Sequence, residues 1–123
     1  MAASFKLLFA LLLLSICSKG NGQQCDLSSI SVNQTNTGMK NGFDYKFEVE
    51  VRNICQCSVT NLLLKVPGFA SSSLVDPKLF RQQGEHYLVN DGQPISSSSS
   101  IKFTYSWDHF FPISPVSFKL LCK

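Results

Sequence analysis

The sequence predicts an all-β protein, an antiparallel β-sandwich of about six to eight short strands stapled by disulfides, and three observations carry that expectation. First, two stretches alternate apolar and polar residues with period two. In Asp44 to Arg52, Tyr45, Phe47, Val49 and Val51 share one parity; in Ile101 to Trp107, Ile101, Phe103, Tyr105 and Trp107 do. That is the period of a strand with one face buried, whereas a helix would scatter those residues round its circumference. Second, nothing after residue 22 shows helical periodicity of useful length, and turn signals recur at short intervals, which favours a sandwich over a small closed barrel. Third, four cysteines follow the N-terminal segment, Cys25, Cys55, Cys57 and Cys122. An even number in a small secreted domain points to a disulfide framework with three possible connectivities.

Residues 1–22 read as a secretory signal peptide: Lys6 precedes an apolar run from Leu7 to Ile16 that ends in small residues. The run is too short to span about 30 Å of hydrocarbon, and no later stretch could. Residues 23–123 then form one domain, secreted to the apoplast. Without Lys6 and Lys19, the 11 Lys/Arg of the whole chain fall to nine against eight Asp/Glu. Near-neutrality argues against nucleic acid as a partner.

The elements follow in order. Ile30 to Asn33 reads as a short first strand, and Asn33-Gln34-Thr35 is an N-glycosylation sequon at its end. Thr37-Gly38 and Asn41-Gly42 are turn signals before the central strand, Asp44 to Arg52. Continuing its parity would turn Cys55 and Cys57 inward. Neighbours two apart on a strand are separated by about 6.6 Å along it, so a Cys55–Cys57 bond would need a kink. Each is therefore expected to bond a distant partner, Cys25 or Cys122, in an order left open. Zinc is disfavoured, since C-x-C here lacks a second pair or nearby histidines.

Val59 to Val66 is the next strand, with Leu62, Leu64 and Val66 on one parity and Pro67-Gly68 ending it. Ala70 to Ser73 reads as loop, Asp76-Pro77 as a turn, and Leu79 to Arg81 as a short helical turn. Tyr87 to Val89 is a strand closed by Asn90-Asp91-Gly92. Ser96 to Ser100 reads as a flexible surface loop. After the second aromatic strand, Pro112 and Pro115 break the chain before a last one, in which Val116, Phe118, Leu120 and Cys122 share a parity facing the core.

No catalytic constellation is recognisable: no G-x-S-x-G elbow surrounds a serine, and His86 and His109, beside Glu85 and Asp108, lie in separate segments as solvated loop histidines. No cofactor or metal is implied, and the expectation is a protein that is not an enzyme.

In order and spacing, several segments resemble the tapetum determinant family of small secreted plant proteins. They are Ile30-x-Val32-x-Gln34; Asn41-Gly42 with Tyr45, Glu48, Val49, Asn53 and Cys55; Phe69-x-Ser71 running to Val75-Asp76-Pro77-x-x-Phe80-Arg81; Leu88 to Gly92 with Pro94; and Phe103-x-Tyr105. The family pattern has two further cysteines, at places held here by a residue near Val66 and by Tyr87. Their joint loss implies that they bond each other in relatives, which supports pairing among the four that remain. The resemblance implies an extracellular ligand in cell-fate signalling, similar to a hormone read by a leucine-rich-repeat receptor kinase. On that reading Lys78, Arg81, Asn90 and Asp91, in the loops holding the densest matches, are candidate partner-binding residues. A wall-associated carbohydrate- or lipid-binding module, with Tyr105 and Trp107 as its platform, and an enzyme inhibitor with a protruding Pro67-Gly68-Phe69 loop are the alternatives.

Overall fold

The computed structural model describes residues 25–122; the signal-peptide reading falls outside them. Seven strands form two antiparallel sheets packed face to face. The first holds β1 (Ile30–Asn41), β2 (Asp44–Asn53) and β6 (Ser100–Trp107) in the order β1-β2-β6. The second holds β3 (Ser58–Lys65), β4 (Phe80–Gln83), β5 (His86–Val89) and β7 (Ser114–Leu121) in the order β4-β5-β3-β7. The described residues contain no α-helix, only 3₁₀ turns at Leu27–Ser29 and Asn90–Gly92.

Strand parity sets the core as expected. Phe47, Val49 and Val51 of β2 and Phe103 and Tyr105 of β6 are buried, while Tyr45 at the end of its row is 39% exposed. Phe103 stacks on Phe80 at 4.3 Å, and Phe69 meets Phe80, Tyr87, Tyr105 and Phe111 at 5.1–5.4 Å. The aromatic rows are thus two halves of one interior, with ring pairs at separations that favour attraction.

Several expectations need correction. β1 runs on to Asn41, because its register with β2 absorbs Thr37-Gly38 as an irregularity between Asn36 and Lys40. In β3 both Val59 and Leu62 are buried although their parities differ. Asn61 between them has φ 51° and the pairing slips there, so a bulge switches the inward side. The turn after Asp76 ends at Leu79, and Phe80 and Arg81 open β4 instead of a helical turn: Phe80 pairs with Val89 and buries its ring.

The serine run is no loose loop either. The Ser99 amide donates to the Ser96 carbonyl, the Ser98 amide to that of Asn53, and the Ser97 hydroxyl to that of Cys55. Finally, Cys122 is exposed: β7 is an edge strand, and its last residues Leu120 and Leu121 face solvent at 38% and 53%. Parity alone cannot distinguish a central strand from an edge, where one face is only partly covered.

β2 ends at Asn53, so Cys55 and Cys57 lie in the crossover to the other sheet and not on a strand. Cys25 bonds Cys55 across a Cα separation of 5.7 Å, and Cys57 bonds Cys122 across 4.8 Å. The bonds close loops of 30 and 65 residues, each stabilising by about 4 kcal/mol in chain-entropy terms. Asn53 organises the same crossover. Its buried amide donates to the carbonyls of Cys57 at 2.8 Å and Ile95 at 2.9 Å and accepts from the Cys55 amide at 2.9 Å.

Candidate functional site

Four features follow from this scaffold. The first is the predicted cluster. The turn after Asp76 and the 3₁₀ turn after Val89 lie side by side because the Asn90 amide donates to the Leu79 carbonyl at 3.0 Å. Arg81 reaches between them, with Nη1 2.5 Å from Asp91 Oδ1 and 3.3 Å from the Pro77 carbonyl. Asn90 and Asp91 have φ of 55° and 57°, conformations that Asn and Asp tolerate better than most residues. The Asn90 amide spans to the Gln93 and Pro94 carbonyls, and Asp76 accepts from the Lys78 amide. So Lys78, Arg81, Asn90 and Asp91 do share one surface. Three of them are also engaged in shaping their own turns, while the ammonium of exposed Lys78 makes no ion pair among the described residues.

The second feature escaped the sequence reading. At the far end from the disulfides, the end of β1, the β1–β2 turn and the β6–β7 loop present Met39 at 60% exposure, Phe43 at 99% and Phe110 at 49%, beside Tyr45. Lys40 Nζ stands 5.0 Å from the Tyr45 ring centroid, and Phe110 packs 4.4 Å from Phe47. The signal was available: a phenylalanine following Asn41-Gly42 occupies a turn position that folding leaves to polar residues.

The third feature braces that loop. Tyr105 donates to Gln34 Oε1 at 2.5 Å, Gln34 Nε2 donates to the Phe111 carbonyl at 2.7 Å, and the Phe111 amide donates back to the Tyr105 hydroxyl at 3.2 Å. Burial pushes the Tyr105 phenol above its ordinary pKa, against an opposing effect of the Phe111 amide. Tyr105 is fully buried and Trp107 packs against the core beside Phe111, so the two present no coplanar aromatic platform. Phe69 likewise turns inward from the Pro67-Gly68 turn.

The fourth is an open cleft of about 330 Å³ beside β6, lined by Glu48, Leu74, Asp76, Leu79, Lys102, Phe103 and Thr104.

For chemistry, His109 and Asp108 form an exposed neighbouring pair in a loop as expected, whereas His86 is half-buried in β5 and not a solvated loop residue, because it pairs with Gln83 in the β4–β5 hairpin. No group of three or more His, Cys, Asp or Glu side chains among the described residues could hold a metal. No described helix is long and apolar enough to cross a membrane. Asn33 of the sequon is exposed on edge strand β1, opposite Glu50.

These features define a small disulfide-tied β-sandwich. The family model described as "Tapetum determinant 1, C-terminal" matches residues 26–122, and the chain belongs to that family. Among similar proteins is an uncharacterized protein of Arabidopsis thaliana, 40% identical over 93% of this chain and 90% of its own length. TPD1 protein homolog 1 of Arabidopsis thaliana is 31% identical over 78% of this chain, and TPD1 protein homolog 1A of Oryza sativa subsp. japonica is 32% identical over 49%. The matches span 55% and 30% of those two relatives' own lengths. No solved structure matches significantly.

Proposed function

We propose that this protein is a secreted ligand that acts by binding another extracellular protein, a receptor ectodomain of the leucine-rich-repeat kinase type, in plant cell-fate signalling, and not by turnover. The observation that carries the reading is family membership along residues 26–122. Two disulfides in so small a domain accord with an oxidising, extracellular compartment. Asn33 is proposed to carry a glycan; its exposure leaves room for one, and Asn33→Gln should lower the intact mass of the secreted protein by one glycan.

The contact surface is placed at Lys78 and Arg81. In biolayer interferometry against a panel of receptor ectodomains, Lys78→Ala and Arg81→Ala should each weaken binding. Asp91→Asn removes the same ion pair as Arg81→Ala, keeps a residue type that tolerates the φ of 57° there and leaves the cation, so it should spare binding. If Asp91→Asn and Arg81→Ala weaken binding equally, the pair acts by shaping the turns. A second surface is favoured by the exposure of Phe43: if Phe43→Ser alone abolishes binding, the apolar end of the sandwich is the contact. Binding of an oligosaccharide in place of every ectodomain would overturn the ligand reading.

A further inference from the structure

We infer that the β6 edge from Ser100 to Thr104 is a docking site for an extended segment of a protein partner, which adds to the β1-β2-β6 sheet as a fourth strand. This rests on the reading of the protein as one that binds another protein and names how it does so.

The hydrogen-bonding directions along β6 follow from its neighbours. Asn53 of β2 exchanges backbone bonds with Ser98 and Ser99, so the odd-numbered residues of β2 aim their amides and carbonyls at β6. By the register Val49↔Phe103 and Val51↔Ile101, the odd residues of β6 answer them. The even residues Ser100, Lys102, Thr104 and Ser106 therefore aim outward. Ser106 confirms the direction: its carbonyl accepts from the Ser72 amide at 2.8 Å and its amide donates to Ser71 Oγ at 3.0 Å. Beyond Ser73 the covering segment diverges from β6, and the cleft opens between them, with Leu74 fully exposed. The backbone groups of Lys102 and Thr104 have no partner among the described residues on that side.

The other edges are guarded in recognisable ways. β4 has only four residues; β7 carries Pro115 and register shifts; β1 has an irregularity after Asn36.

A second copy is disfavoured at the β6 edge in the antiparallel registers centred on Lys102 and on Phe103. Antiparallel self-pairing centred on Lys102 would set the two ammonium groups against each other, and centring it on Phe103 would run Ser100 into the already occupied Ser106. The proposed occupant is a segment of a different chain, with self-association as an outcome of the test. Its backbone pairs with Ser100 to Thr104, and one apolar side chain enters the cleft against Leu74, Leu79 and Phe103. A residue without positive charge faces Lys102, since like charges directly opposite repel.

The test uses the folded, disulfide-bonded protein and a capped peptide, Thr-Val-Thr-Leu-Thr-Val-Thr, with a solubilising two-lysine tail. In the free protein the amides of Lys102 and Thr104 should exchange with solvent at least ~10-fold faster than those of Phe103 and Tyr105. The peptide should slow both, and a copy N-methylated on the amides that face β6 should not. Thr104→Pro deletes an N–H that β2 does not use, a substitution edge strands tolerate. It should keep the fold and weaken peptide binding at least ~10-fold. Slow exchange at Lys102 and Thr104 in the free monomer would mean that the Ser73–Asp76 segment already closes the edge, and concentration-dependent protection would mean self-association; either overturns the proposal. So does equal binding of the N-methylated peptide. If a receptor ectodomain binds wild type and Thr104→Pro equally, the edge is wrong while the ligand reading stands; if no ectodomain binds but the peptide does, the reverse holds.

Discussion

Replacing Asn53 by Ala tests whether one buried side chain holds the crossover between the two sheets. Asn53 is 1% exposed, and its amide makes the three bonds to Cys55, Cys57 and Ile95. The Ile95 carbonyl retains the Val59 amide at 3.1 Å, so its loss is small. The Cys55 amide and the Cys57 carbonyl lose the bonds that Asn53 makes to them, at about 1–3 kcal/mol for each buried group left unpaired. The expected cost is about 3–4 kcal/mol against a total stability of order 5–15. For a domain of this size about 1 kcal/mol moves the midpoint by ~4–8 °C, so Tm should fall by ~15–25 °C.

Scanning calorimetry of the oxidised protein measures this directly, with Asn53→Asp as a companion. The aspartate keeps an acceptor for Cys55 but turns a carboxylate oxygen toward two carbonyls, which raises its pKa in the folded state. A raised folded pKa means stability that is present below the unfolded value and lost as pH rises through the folded one. Asn53→Asp should therefore regain stability relative to wild type on acidification. A fall below about 5 °C for Asn53→Ala, with two-state unfolding, would refute the assignment of the crossover to this side chain.

Three further outcomes are expected. Tyr105→Phe removes both bonds of the hydroxyl, to Gln34 and from Phe111, and should cost about 1–2 kcal/mol in urea unfolding. Because burial raises the Tyr105 pKa, wild type should also lose stability relative to Tyr105→Phe once pH climbs above the ordinary tyrosine value of about 10; a constant difference across that range would contradict the burial effect. Phe47→Asp places a charge in the aromatic interior at a cost of several kcal/mol and should prevent secretion, whereas Glu48→Lys on the outer face should not. Equal secretion of the two would mean that the parity is misassigned. Peptide mapping of the unreduced protein should recover Cys25 linked to Cys55 and Cys57 linked to Cys122, and a Cys25–Cys57 peptide would contradict the arrangement.

Local pattern decided what depends on neighbours along the chain. The alternation of Phe47, Val49 and Val51 with Lys46, Glu48 and Glu50, and of Phe103 and Tyr105 with Lys102 and Thr104, specified two half-buried strands and hence the sandwich, because a pleated strand turns successive side chains to opposite faces. The four cysteines after the first 22 residues and the geometry of C-x-C pointed each of Cys55 and Cys57 to a distant partner. Only the tertiary structure settled the order, since which of Cys25 and Cys122 lies nearer each sulfur depends on where β7 packs. The same limit hid the switch of side at Asn61, the exposure of Cys122, and the strand at Phe80, whose pairing with Val89 outweighs the local turn signal of Asp76-Pro77. Lys78, Arg81, Asn90 and Asp91 could be nominated from their segments, but that Arg81 bridges to Asp91 follows from two turns meeting across a hairpin. The open edge at Lys102 and Thr104 was unreadable for a further reason: an edge is the absence of a neighbouring strand, and a sequence encodes the pairing tendency of a strand without fixing which of its two sides remains unpaired.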